Sequence, residues 1–154
     1  MLRNLFLLIL MLVAVPCQAK WNKTPIWGEF ANTDSTAATL TETTARIALF
    51  EMIAGVPTAV TLASTDIVEL TDVVAGMAGA AGGATVTIYS GSNDTLATGE
   101  QMYKAIFVAT GGISSSTRFT VPPRSIPGTY PKVEASAAAL TSVYVCGYVW
   151  RYTP

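Results

Sequence analysis

The chain has 154 residues, 51% of them hydrophobic and 12% charged, with nine Lys and Arg against ten Asp and Glu and no histidine. That length is one domain's worth and buries a core without staples. A near-neutral chain with no basic cluster lacks the electrostatic footprint of a nucleic-acid binder or of a protein drawn to anionic membranes, and the missing histidine removes Ser-His-Asp and Cys-His catalysis and most zinc sites.

Residues 1–19 open with Arg3, continue with an unbroken apolar run from Leu5 to Val15, and close with Pro16-Cys17-Gln18-Ala19. A basic start, an apolar stretch too short to span a bilayer comfortably and a small residue at the exit read as a secretory signal peptide cut after Ala19. An uncleaved apolar anchor or arm is the alternative. Cys17 raises the question of a lipoprotein, but Pro16 occupies the position where that processing wants a small residue. Loss of Arg3 leaves eight basic residues against ten acidic. Cys146 is then the single cysteine, which reads as a small apolar core residue on a strand, with an intermolecular disulfide or a reactive thiol as the alternative.

Residues 20–34 form an N-terminal arm in this reading. Trp21, Trp27 and Phe30 are too apolar to be left in water, so the arm docks on its own domain or on a neighbouring subunit. Residues 35–154 carry the grammar of strands. Thr39-Leu40-Thr41-Glu42 and Arg46–Phe50 are short apolar-bearing runs, with Thr44 to Ala54 ambiguous between strand and helical turn. Ala59–Ala63 and Ile67–Val74 follow, rich in β-branched residues. Gly76 to Gly83 reads as a hairpin loop. Ala84–Tyr89 alternates with Val86 and Ile88 inward. Ser90 to Gly99 is a polar loop, Glu100–Ala109 a strand, Gly111 to Ser116 a turn, and Arg118–Val121 a short strand stopped by Pro122-Pro123. Gly128-Thr129-Tyr130 opens a strand that Pro131 places at an edge.

The last strand, Ser142–Tyr152, puts Val143, Val145, Gly147 and Val149 on one face and Tyr144, Cys146, Tyr148, Trp150 and Tyr152 on the other. Both faces look contact-forming, which places this strand centrally in a sheet. About eight short strands with regular turn signals make the chain all-β, a single antiparallel β-sandwich of jelly-roll type.

No residue set points to catalysis, a cofactor or a metal. Asp66, Glu69 and Asp72 are the densest acidic group, but strand spacing puts Glu69 and Asp72 on opposite faces of a solvated edge. Gly79–Gly83 lacks the Lys-Ser/Thr of a phosphate loop and precedes a strand rather than a helix. Ser90–Thr95 is too poor in carboxylates for a strong calcium site. Asn22-Lys23-Thr24 and Asn93-Asp94-Thr95 are formal glycosylation sequons.

The Ala84–Gly91 strand, the polar loop ending Ala97-Thr98-Gly99, the Pro122-Pro123 and Pro127-Gly128-Thr129-Tyr130 turns and the terminal Val/Tyr strand together resemble small β-sandwich virion proteins of tailed phages, of the head-decoration or tail-accessory kind. The resemblance covers about residues 73–152 and implies a structural role without catalytic residues. The expectation is a non-enzymatic structural or surface-interaction subunit, secreted, periplasmic or on the cell surface, with a virion as the alternative. Its partners are other copies of itself or other assembly subunits, not nucleic acid and not a membrane once the signal is cut. A homo-oligomer follows, with Trp21, Trp27, Phe30, Tyr144, Tyr148, Trp150 and Tyr152 as its contact residues. The alternative function is an exported carbohydrate- or peptide-binding module.

Overall fold

The computed structural model describes residues 20–32, 46–78, 83–91, 100–107, 113–135 and 140–153. The apolar N-terminal stretch, the run Thr39–Glu42, the glycines of residues 79–82, and most of the polar loop after Ser90 lie outside the described residues. Among the described residues no helix is long and apolar enough to cross a membrane.

The described residues form nine strands: β1 (Lys20–Asn32), β2 (Ala48–Ile53), β3 (Val56–Ala59), β4 (Ile67–Ala78), β5 (Ala84–Ser90), β6 (Glu100–Phe107), β7 (Ile113–Arg118), β8 (Lys132–Ala135) and β9 (Leu140–Thr153). They build two antiparallel sheets, one of six strands in the order β3-β2-β1-β9-β4-β7 and one of three in the order β6-β5-β8. β9 is central, as its two apolar faces imply.

The segment read as an arm is strand β1. It does not lie across the aromatic face of β9 but extends it edge to edge, with Lys20 opposite Thr153 and Asn32 opposite Thr141. Period-two alternation then decides which side chains enter the core. Ile26 and Phe30 face inward with Leu49, Val68, Leu70, Val73, Ala75, Met77, Val143, Val145 and Val149. Val86, Ile88, Ala105, Phe107, Val133 and Ala135 of the smaller sheet join the same cluster. Each fully buried Val, Leu, Ile, Phe or Met side chain among them contributes about 1.5–3 kcal/mol by transfer from water. The sheets also meet through the chain: the Ile47 N–H donates to the Pro131 carbonyl at 3.0 Å, and Arg46 bridges Lys132 antiparallel.

Several boundaries differ from the sequence reading. β4 runs on through Gly76, Met77 and Ala78 because β9 and β7 flank it there and supply partners for its backbone. β4 and β5 lie in different sheets and do not pair with each other, unlike the two arms of the hairpin expected there. The expected turn at residues 111–116 is largely β7, whose Ser-rich run carries little β signal but pairs with β4 from Met77↔Ile113 to Asp72↔Arg118. Beyond Arg118 the chain is not a strand, although it stays beside β4: Phe119 donates to Thr71, Pro123 accepts from Leu70, and Ser125 donates to Val68. The ambiguous stretch before Ala54 is strand, closed by Ala54 and Gly55 at φ 51° and 82°. A two-residue turn with both central residues at positive φ fits the twist of a hairpin. Residues 60–63 fall outside β3, and β8 starts at Lys132, later than expected. β8 does lie at a sheet edge.

Candidate interaction surface

The register places one set of side chains on the outer face of the larger sheet. Along the β1–β9 pair, Trp21 lies opposite Tyr152, Lys23 opposite Trp150, Pro25 opposite Tyr148, Trp27 opposite Cys146 and Glu29 opposite Tyr144. Each row continues into the neighbouring strands, Trp27 into Phe50 on β2 and Tyr144 into Val74 on β4. Trp21 packs edge-on against Tyr152 with ring centroids 5.4 Å apart, and Trp27 stacks on Phe50 at 6.0 Å. These rings pair with each other yet remain open to solvent: Trp21 is 45% exposed, Trp27 36%, Tyr144 54% and Tyr152 41%. Met52, at 56%, and Val74, at 40%, widen the patch.

Phe30 does not belong to this surface. It sits at an even step from Ile26, faces inward and is buried in the core. Cys146 departs from expectation in the opposite sense: it is exposed on the outer face, because its inward neighbours Val145 and Gly147 take the core positions. Tyr148 and Trp150 lie on the outer face but are half-buried beneath cations. Lys23 Nζ stands 3.9 Å from the Tyr148 ring centroid and 4.7 Å from that of Trp150, and the Arg124 guanidinium lies 5.1 Å from the Trp150 ring.

Under those cations is Glu69, only 4% exposed. Its Oε1 accepts from Lys23 at 2.9 Å, and its Oε2 accepts from Arg124 Nε at 2.9 Å and from the Trp150 indole N–H at 3.1 Å. Burial alone pushes this carboxyl up. The hydrogen bonds from Lys23 and Arg124, the Lys23 charge and the indole bond outweigh it, and hold Glu69 below its ordinary value of 4.5. Glu69 therefore clips β1, β9 and the segment after β7 onto β4.

The acidic group is thus not a solvated edge. Asp66 is also buried, its Oδ2 accepting the Ala63 N–H at 3.0 Å. A β-bulge between Leu70 and Asp72 resets the alternation, so Asp72, opposite Cys146, shares the outer face with Glu69, opposite Tyr148. Nothing in the local sequence announces the bulge; Gly147, facing it on β9, is the one compositional hint.

The remaining candidates are accounted for by structure. Ser90 is fully buried, its Oγ accepting the Ile126 N–H and paired with Thr129 Oγ1, and the Ser90–Thr95 run beyond Gly91 lies outside the described residues. Asn22 of the first sequon sits within β1, its amide donating to Thr153 Oγ1 at 2.9 Å. Among the described residues no group of three His, Cys, Asp or Glu is placed to hold a metal ion.

No family model matches this chain, and no curated protein matches it. One solved structure with similarity comes from Bacillus endospore appendages, described as a novel family of disulfide-linked pili. It is 16% identical over 89% of this chain and 92% of that chain, with a TM-score of 0.31.

Proposed function

We propose that this protein is a non-enzymatic structural subunit that self-associates through the outer face of its six-stranded sheet. The observation that carries this reading is the exposed rings of Trp21, Tyr152, Trp27 and Tyr144 on paired strands, with half-buried Phe50 stacked on Trp27 and with Cys146 and Val74 among them. At strand spacings the face runs about 27 Å along β1 and about 15 Å across four strands, roughly 400 Å² in projection. That lies within the roughly 300–600 Å² of the largest apolar patch on an ordinary monomer, a patch that is often functional. Aromatic side chains dominate contact energies when buried at the centre of an interface.

In this proposal the two sheets close into a sandwich, the chain is exported by its signal-like N-terminus, and it works at a surface or in an extracellular assembly. A virion accessory role remains the alternative setting for the same contacts. Neither setting requires catalysis.

The test is oligomeric state. Light scattering of the wild-type protein is expected to report assemblies that a Trp27→Glu/Tyr144→Lys double variant loses, with circular dichroism and melting temperature retained. A wild-type protein that stays monomeric at high concentration would overturn the proposal.

A further inference from the structure

The outer face carries its charges unevenly along β1, whose outward side chains run Trp21, Lys23, Pro25, Trp27 and Glu29. Lys23 stands toward one end. Its Nζ donates to Glu69 at 2.9 Å, yet its side chain is 38% exposed and the ammonium has further N–H groups to give. Glu29 stands toward the other end, exposed and without an ion-pair partner among the described residues. Positions 23, 26 and 29 are evenly spaced, and Ile26 between the two charges faces the core. The face thus holds a cation and an anion at equal steps, about 10 Å, on either side of a midpoint.

Two copies of one face close on each other about a two-fold axis lying in the plane between them. An axis along β1 sets Lys23 against Lys23 and Glu29 against Glu29, and like charges repel. An axis along the β1–β9 seam sets Glu29 against Tyr144 and leaves its charge unpaired. An axis across the strands, at the level where Ile26 lies opposite Gly147, runs the two β1 strands antiparallel and sets Lys23 of each copy against Glu29 of the other. The same operation seats Trp27 on Pro25, Cys146 on Tyr148 and Tyr144 on Trp150 of the second copy, because these residues lie at matching steps from that level. Packed sheets cross at about 30°, which offsets Lys23 from Glu29 sideways by about 5 Å, one strand spacing and within reach of a lysine side chain. On β4 the operation brings Asp72 towards Glu69, but each already carries its own cations, Arg118 on the first and Lys23 with Arg124 on the second.

We infer that the outer face closes on a second copy of this chain as an antiparallel two-fold dimer, held in register by two Lys23–Glu29 pairs between the copies. That geometry rests on the self-association proposed above and adds a limit to it. A face that pairs with itself is used up at two copies, so any larger assembly needs a different surface. Two faces of roughly 400 Å² cover about 800 Å² in projection, which suits a reversible contact rather than an obligate one.

The test treats an equal mixture of isotope-labelled and unlabelled full chain with a zero-length carbodiimide, which joins an amine only to a carboxylate in direct contact. Within one chain Lys23 and Glu29 are about 20 Å apart along an extended strand, too far to be joined. The expected product is a Lys23–Glu29 cross-link with one labelled and one unlabelled partner, read by mass spectrometry of the digest. Light scattering in parallel is expected to report a reversible dimer. Glu29→Lys turns both pairs into repulsions and should weaken that dimer about tenfold at low salt and less at high salt. Glu100→Lys makes the same change of charge at an exposed position on the smaller sheet and should leave affinity unchanged. Circular dichroism confirms that both variants fold. Association without the mixed cross-link, or with equal affinity in Glu29→Lys, overturns the antiparallel dimer and leaves self-association standing; a wild-type protein that stays monomeric overturns both.

Discussion

At Gly147 the bulged part of β4 lies so close that an added Cβ would run into the Glu69 carbonyl oxygen. The obstacle is backbone on a central strand, so relief would need the β4–β9 pair to move apart. Gly147→Ala is therefore expected to cost about 2–3 kcal/mol, the upper end for overpacking a core, read as a lowered midpoint in urea denaturation. Gly28 offers a contrast, because its nearest neighbours are the ends of the Leu49 and Ile47 side chains. Ala54 carries the opposite defect, a non-glycine residue at φ 51° in the β2–β3 turn. Asn followed by Gly suits that turn, so Ala54→Asn is expected to stabilise by about 0.5–1 kcal/mol, a measurable rise in melting temperature.

At the scale of elements, the Glu69 clip makes a prediction with a definite sign. The folded-state value of Glu69 is depressed, so its contribution is fully present above the ordinary value of 4.5 and fades as pH falls through the lower folded value. Glu69→Gln removes the charge and leaves Lys23 and Arg124 without their counter-ion. Both cations are partly open to water, at 38% and 58%, so the expected loss at neutral pH is modest, about 1–2 kcal/mol. Denaturation of both proteins across the acid range should show the gap between them closing below pH 4.5. A gap that stays constant would mean the clip acts through shape alone.

The alternation of β9, and of β5 as far as Ile88, was legible because each strand places one face in the core; past the register shift after Ile88, Tyr89 and Ser90 are buried as well. β7 was not, because Ser114, Ser115 and Ser116 gain strand geometry from β4 rather than from their own propensity. The Glu69–Asp72 convergence was hidden for a related reason: a bulge shifts parity without changing composition. Trp21 and Trp27 stand out in the sequence by their size and lie exposed on the outer face, whereas the even step that buries Phe30 becomes visible only once β1 is known to be a strand.

At the scale of the whole molecule, the larger sheet buries one face and leaves the other with two aromatic pairs, an exposed thiol and the Glu69 clip. Cys146 lies opposite Trp27 near the middle of that face, which makes it a reporter of whether the face is covered. In a Cys17→Ser variant it is the sole thiol. The decisive measurement is the rate of its alkylation by a maleimide as a function of protein concentration. Self-association through the outer face predicts slow labelling in concentrated protein and fast labelling on dilution, with the Trp27→Glu/Tyr144→Lys double variant fast throughout. Labelling that is fast and independent of concentration in the otherwise wild-type chain would contradict the account.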